Sequence, residues 1–148
     1  MRNFTKDVKI DPAFIYYAAG TTDCESNEFD MKGFDSITCA LQIGDVTTGA
    51  TVALYAEGST ATGGTFVSFY GSTASFASTQ GSSGLWLVSE VYKPNKQFIK
   101  FVADRGTANA VLHGGLAFRY RAGDLAVAES TYTDYIIDYA LAVNATSS

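Results

Sequence analysis

From residue 34 to residue 121 the chain keeps a period of two. In "FDSITCALQI" Ile37, Cys39, Leu41 and Ile43 fall on one side, and Ser36, Thr38, Ala40 and Gln42 on the other. Successive side chains of an extended chain point to opposite faces, so this pattern predicts a half-buried strand. "GDVTTG" (44–49) is a turn, and "ATVALYAEG" (50–58) alternates again through Val52, Leu54 and Ala56, which predicts a hairpin. A short strand over 65–70 and a long exposed loop follow. "GLWLVSEVY", "QFIKFVADRG" and "AVLHGGLAFRYRAG" are further strands, parted by the turns "KPNK" and "TAN". In the last of them Leu116, Phe118 and Tyr120 share one face and Arg119 and Arg121 the other. Gly114 and Gly115 there mark a bulge or a close backbone approach. Short strands at regular spacing, with no helical period between them, predict an all-β fold: an antiparallel, jelly-roll-like sandwich with extended N- and C-terminal arms. Residues 1–20 read as the leading arm, 21–127 as the sandwich core and 128–148 as the tail. In the tail Tyr132, Tyr135, Ile136 and Tyr139 fit helical spacing and an aromatic strand equally well.

At 148 residues, one domain is the simplest reading. Such a chain buries roughly 70% of its unfolded surface and needs no disulfide or metal staple. Hydrophobic residues are 47% and charged ones 17%, which excludes disorder by composition. The formal charge of -5 weighs against nucleic acid as a partner, because phosphate neutralisation requires a cationic face. Charges break every apolar run of "MRNFTKDVKIDPAF", so no signal peptide or membrane span is expected there, and the expected site of synthesis is a cytoplasm.

Residues able to carry chemistry are sparse. His113 is the only histidine and stands in the apolar "VLHGGL"; a place in the sheet suits it better than a Ser–His–Asp triad. Cys24 and Cys39 match no zinc spacing, and Asp23, Glu25, Glu28 and Asp30 lack the spacing of a calcium loop. No metal, cofactor or catalytic residue is expected, and the chain reads as a non-enzyme. "VYKPNKQFIKFVADRG" holds four of the ten Lys and Arg residues: Lys93, Lys96, Lys100 and Arg105. Solvated lysines guarding a sheet edge are the plain account of them.

The order of segments carries a resemblance. "MKGFDSITCALQIGDVTTGATVALYAEGSTATGGTF" looks like the strand, turn and strand that open a family of small tailed-phage proteins, the capsid decoration or cement proteins. "VYKPNKQFIKFVADRGTANAV" resembles a "G-x-K-R-Y-(V/I)-R-(V/L)" strand of that family, and "LHGGLAFRYRAGDLAV" its closing strand. The likeness spans residues 30–127. Lys96 and Gln97 stand where the family has "K-R", and "RYRAGD" replaces its closing proline pattern. The resemblance implies a structural virion protein on the outer head shell, made in a bacterial host's cytoplasm. Its implied partners are the major capsid protein and copies of itself, as a homotrimer or other homo-oligomer. Under that reading Lys93, Lys96, Lys100, Arg105, Arg119 and Arg121 are candidates for docking. Phe14, Ile15, Tyr16, Tyr17, Tyr132, Tyr135, Ile136 and Tyr139 are candidates for oligomer contacts. The alternative is a head-fibre or carbohydrate-binding sandwich for host attachment, with Trp86 and the tyrosines stacking on sugar rings.

Overall fold

A computed structural model describes residues 4–77, 85–121 and 137–142. One helical turn, α1 (Phe4–Asp7), leads into β1 (Val8–Phe14), β2 (Tyr17–Gly20), β3 (Cys24–Glu25) and β4 (Phe29–Asp30). β5 (Ser36–Val46), β6 (Thr51–Ser59), β7 (Val67–Ser68) and β8 (Ala74–Ala77) follow. The last are β9 (Leu85–Tyr92), β10 (Phe98–Asp104), β11 (Ala110–Tyr120) and β12 (Ile137–Ala142).

The strands form two six-stranded sheets. Sheet 1 runs β1-β11-β5-β9-β12, with β2 also on β11; sheet 2 runs β3-β10-β6-β7, with β4 on β10 and β8 on β6. The chain is therefore an all-β sandwich. Its pairings are antiparallel except β12 on β9, which is parallel, with Tyr139 opposite Val88. The period-two residues of β5 and β6 are the core: Ile37, Cys39, Leu41, Ile43, Val52, Leu54 and Ala56 are all fully buried. They meet Ile99, Phe101 and Ala103 from β10. Burying each large apolar side chain contributes about 1.5–3 kcal/mol.

Three sequence expectations need correction. β5 and β6 are not a hairpin: β5 pairs with β11 and β9, and β6 pairs with β10, β7 and β8. The 44–49 turn carries the chain from one sheet to the other, as do the turns before and after β10. Gly- and Pro-rich turns serve hairpins and such arches alike, so turn chemistry does not choose between them. The long exposed loop after residue 70 contains β8, whose Phe76 is buried. Residues 8–20, read as an arm, pair along β11 as an edge of sheet 1.

The glycine pair of β11 behaves as expected. The register shifts between Leu112 and Gly114, and Gly114 has a φ of +127°. A Cβ on Gly115 would stand 2.6 Å from the Ala40 carbonyl oxygen. The bulge changes the phase of the strand. Before it Leu112 points inward; beyond it Ala117 and Arg119 do, while Leu116, Phe118 and Tyr120 face out. Among the described residues no helix is long and apolar enough to cross a membrane.

Candidate docking site

The six cations expected to dock divide sharply. Arg105 is only 4% exposed. Its Nε donates to the Thr22 carbonyl at 2.7 Å, Nη1 to the carbonyls of Ala18 (2.7 Å) and Ala110 (3.0 Å), and Nη2 to Thr22 Oγ1 at 3.0 Å. It ties β2, the following turn and β11 together. Gly20 is needed beside it, since a Cβ there would lie 2.9 Å from Nη2. Arg119, 8% exposed, is inside because of the bulge. It donates to the Asp30 carbonyl (2.7 Å) and pairs with Asp11 Oδ2 (2.6 Å), its guanidinium against the rings of Phe29 and Phe34. These two arginines are structural, and their buried guanidinium groups are not presented to a partner. Lys100 lies on the outer side of sheet 2, within 3.0 Å of Glu25 and 3.6 Å of Glu57 and over the Phe66 ring. Partial burial opposes its charge, but Glu25 and Glu57 outweigh that and raise its pKa.

Lys93 and Lys96 remain, and the fold adds Lys32 to them. The three line an open cleft of about 670 Å³ at one end of the sandwich, together with Met31, Phe34, Asp35 and Pro94. Two turns form its walls. In the first, Asp30 Oδ1 accepts the Lys32 N–H at 2.9 Å and the Gln97 amide at 3.1 Å. These bonds, the Lys32 N–H first, hold the Asp30 carboxyl below its ordinary pKa. Gly33, at a φ of +87°, completes the turn, and its carbonyl accepts Arg121 Nε at 3.1 Å. In the second, the Lys93 N–H donates to the Asp35 carbonyl at 2.6 Å, and the Gln97 carbonyl accepts the Met31 N–H at 2.8 Å. Lys93 is the one non-glycine residue with positive φ (48°) among those described. A side chain in that conformation costs on the order of 1 kcal/mol and recurs at functional positions. The stem of Lys96 packs where a Cβ on Gly58 would collide at 2.8 Å.

Three of the predicted cations thus gather at one end: Lys93 and Lys96 on the cleft, Arg121 at its margin. Lys32 was missed; the "MKG" turn, with a glycine able to take positive φ, was its only signal. The aromatic candidates divide as well. Phe14 is core, and Tyr17 is half-buried against it, beneath Arg105. Ile15 and Tyr16 are exposed. Tyr132, Tyr135 and Ile136 lie outside the described residues, and Tyr139 is described only by its backbone pairing in β12.

The other residues able to carry chemistry have defined places. His113 is exposed, stacks on Tyr16 with ring centres 6.5 Å apart, and lies over Gly44, where a Cβ would be 2.5 Å from Nε2. Cys24 and Cys39 are free, buried thiols, and burial raises the pKa of each. No group of three metal-ligating side chains occurs among the described residues. Trp86 is half-buried within β9, its backbone between Gln42 and Ile137.

No family model matches the chain, and no curated protein matches its sequence. Solved structures do. The PBSX exported protein XepA is similar over 93% of this chain, at 17% identity and a TM-score of 0.51. That match covers 45% of XepA, so the chain spans less than half of that protein's length. A protein of the Bacillus endospore appendages, described as disulfide-linked pili, is 15% identical over 79% of this chain and 90% of its own, with a TM-score of 0.44. The SPBc2 prophage-derived protein YomS is 14% identical over 75% of this chain and 94% of its own, with a TM-score of 0.42. What this chain has in common with XepA is the fold, an all-β sandwich.

Proposed function

We propose that the protein is a structural component of a virion, a decoration protein that docks on the outer head shell through the cleft rimmed by Lys32, Lys93 and Lys96. The cleft carries the reading. It gathers three lysines of an acidic chain at one end of the sandwich, one of them held in a left-handed conformation. A lysine-rimmed, partly apolar cleft suits an acidic surface with protruding apolar side chains. The likeness of residues 30–127 to tailed-phage head proteins supplies the class of partner. On this reading the protein acts by binding and catalyses nothing; several copies bridge neighbouring capsomers, each contact of standard size burying ~1,600 Å².

The test is sedimentation with expanded, undecorated head shells from the same source. Saturable binding in a ratio matching the shell's symmetry axes supports the proposal; protein left in the supernatant at micromolar excess refutes it. Exchanging Lys32, Lys93 and Lys96 for Glu should weaken binding roughly tenfold or more and flatten its salt dependence. Unchanged binding would separate the docking from the cleft.

A further inference from the structure

Five of the six large hydrophobic residues that are exposed among the described residues lie together, namely Phe4, Ile10, Ile15, Tyr16 and Leu116. All belong to α1, β1, β11 or the β1–β2 corner, at one edge of sheet 1. The register explains the grouping. Ile10 stands opposite Phe118 and Pro12 opposite Leu116, and directly opposed residues share a face. The glycine bulge turns that face outward.

The patch has relief. At one end the β1–β2 corner is a knob: Ile15 is 70% and Tyr16 62% exposed, with Tyr16 stacked on His113. At the other end is a dent of about 340 Å³, lined by Phe4, Val8, Thr38, Phe118 and Tyr120. The Tyr120 hydroxyl bonds Glu90 and Thr38, so the dent's walls are apolar side chains with their polar ends tied. Leu116 stands between Tyr120 at the dent and His113 beneath the knob.

From this relief we infer that the face binds a second copy of the chain across a two-fold axis near Leu116, the knob of each copy seated in the dent of the other. A two-fold interface requires both complementary features on one face, which is the arrangement seen; a three-fold ring would place them on different faces. Charge favours the same occupant. Two copies of a chain with net charge -5 approach most easily through faces poor in acid. Asp23, Glu25, Asp30, Glu57 and Asp104 all belong to the strands of sheet 2 or to the residue flanking β3, whereas the acids of α1, β1 and β11 are Asp7 and Asp11, and Asp11 is paired with Arg119; Glu90, which the Tyr120 hydroxyl reaches, is buried. The five side chains expose on the order of 500 Å². Pro12, Phe118 and the dent walls bring the face near the ~800 Å² per partner of a stable interface.

Sedimentation equilibrium of the full chain at about 50 µM should give a dimer mass. Ile15→Asp and Tyr16→Asp should each weaken association at least tenfold, and Tyr70→Asp, exposed but off the patch, should not. Leu116→Cys should cross-link to itself under mild oxidation, since the native thiols are buried. A monomer or a trimer overturns the inference, as does a dimer indifferent to Tyr16→Asp or one that Leu116→Cys fails to cross-link. None of these measurements involves a capsid, so they stand apart from the docking proposal.

Discussion

Arg105 and Lys93 belong to one cation-rich stretch of sequence and do opposite work. Arg105 is a clasp, sunk between β2 and β11, with its guanidinium shared among backbone carbonyls and one hydroxyl. Lys93 is a rim residue, exposed on a turn and contributing charge to an open cleft. Lys100 lies between the two, closed off by Glu25 and Glu57 yet near the surface of sheet 2. The contrast follows from chemistry. A planar guanidinium can satisfy several carbonyls from a buried position, whereas an ammonium is strongly hydrated and stays near water or paired carboxylates. A cluster of positive charge in a sequence is therefore not one site until each cation's hydrogen bonds are known.

The largest effect should come from the clasp. Arg105→Ala leaves the carbonyls of Thr22 and Ala110 without their charged donor and should cost about 3 kcal/mol, roughly 6–12 °C in melting temperature for a domain of this size. Lys93→Glu should change stability by less than about 0.5 kcal/mol. Equal losses from the two, measured by denaturant titration, would erase the distinction. A smaller effect of opposite sign is expected at the rim. Lys93→Gly relieves the positive φ and should stabilise by up to about 1 kcal/mol, less the entropy glycine adds to the unfolded chain. Any loss of stability there would mean that Lys93 is held by more than its turn.

Acid should separate the regions most gently. Asp30 is held below its ordinary value of 3.8, chiefly by the Lys32 N–H. A carboxyl whose folded pKa is depressed contributes stability in full above the unfolded value and loses it as pH falls through the folded one. Below about pH 3.8 the Lys32 turn should therefore loosen, while the bonds of Arg105, all to uncharged oxygens, persist. Amide exchange at Lys32, compared with the Arg105 side-chain N–H signals, reads the difference directly. Parallel loosening of both would show one cooperative unit.

These same residues show what the sequence discloses. Alternation identified the inward faces of β5 and β6 correctly because period two is a local property. It did not assign those strands to different sheets, because partner choice depends on residues far along the chain. Gly114 and Gly115 announced the bulge, and alternation placed Arg119 opposite Phe118. Which of the two faces would be interior was not legible, since a buried arginine becomes favourable only once Asp11 and the Asp30 carbonyl are folded against it. Lys32 escaped notice for a related reason: it joins Lys93 and Lys96 only when β4 and β10 pair.

The bulge in β11 also bears on how this surface could change over generations. Substitution alters one side chain at a time, but the bulge sets the phase of everything that follows it on the strand. Between Leu112 and Gly115 three steps of β11 span two of β5, so deleting Gly114 would only remove the extra residue and leave Ala117 and Arg119 inward. A side chain at Gly114 that forced regular alternation through the same number of residues would instead offer Leu116, Phe118 and Tyr120 to the interior and Arg119 to solvent in a single step. The outward face is thus governed by one backbone conformation as much as by the side chains it carries, and one substitution at this glycine reaches further than point changes across the patch.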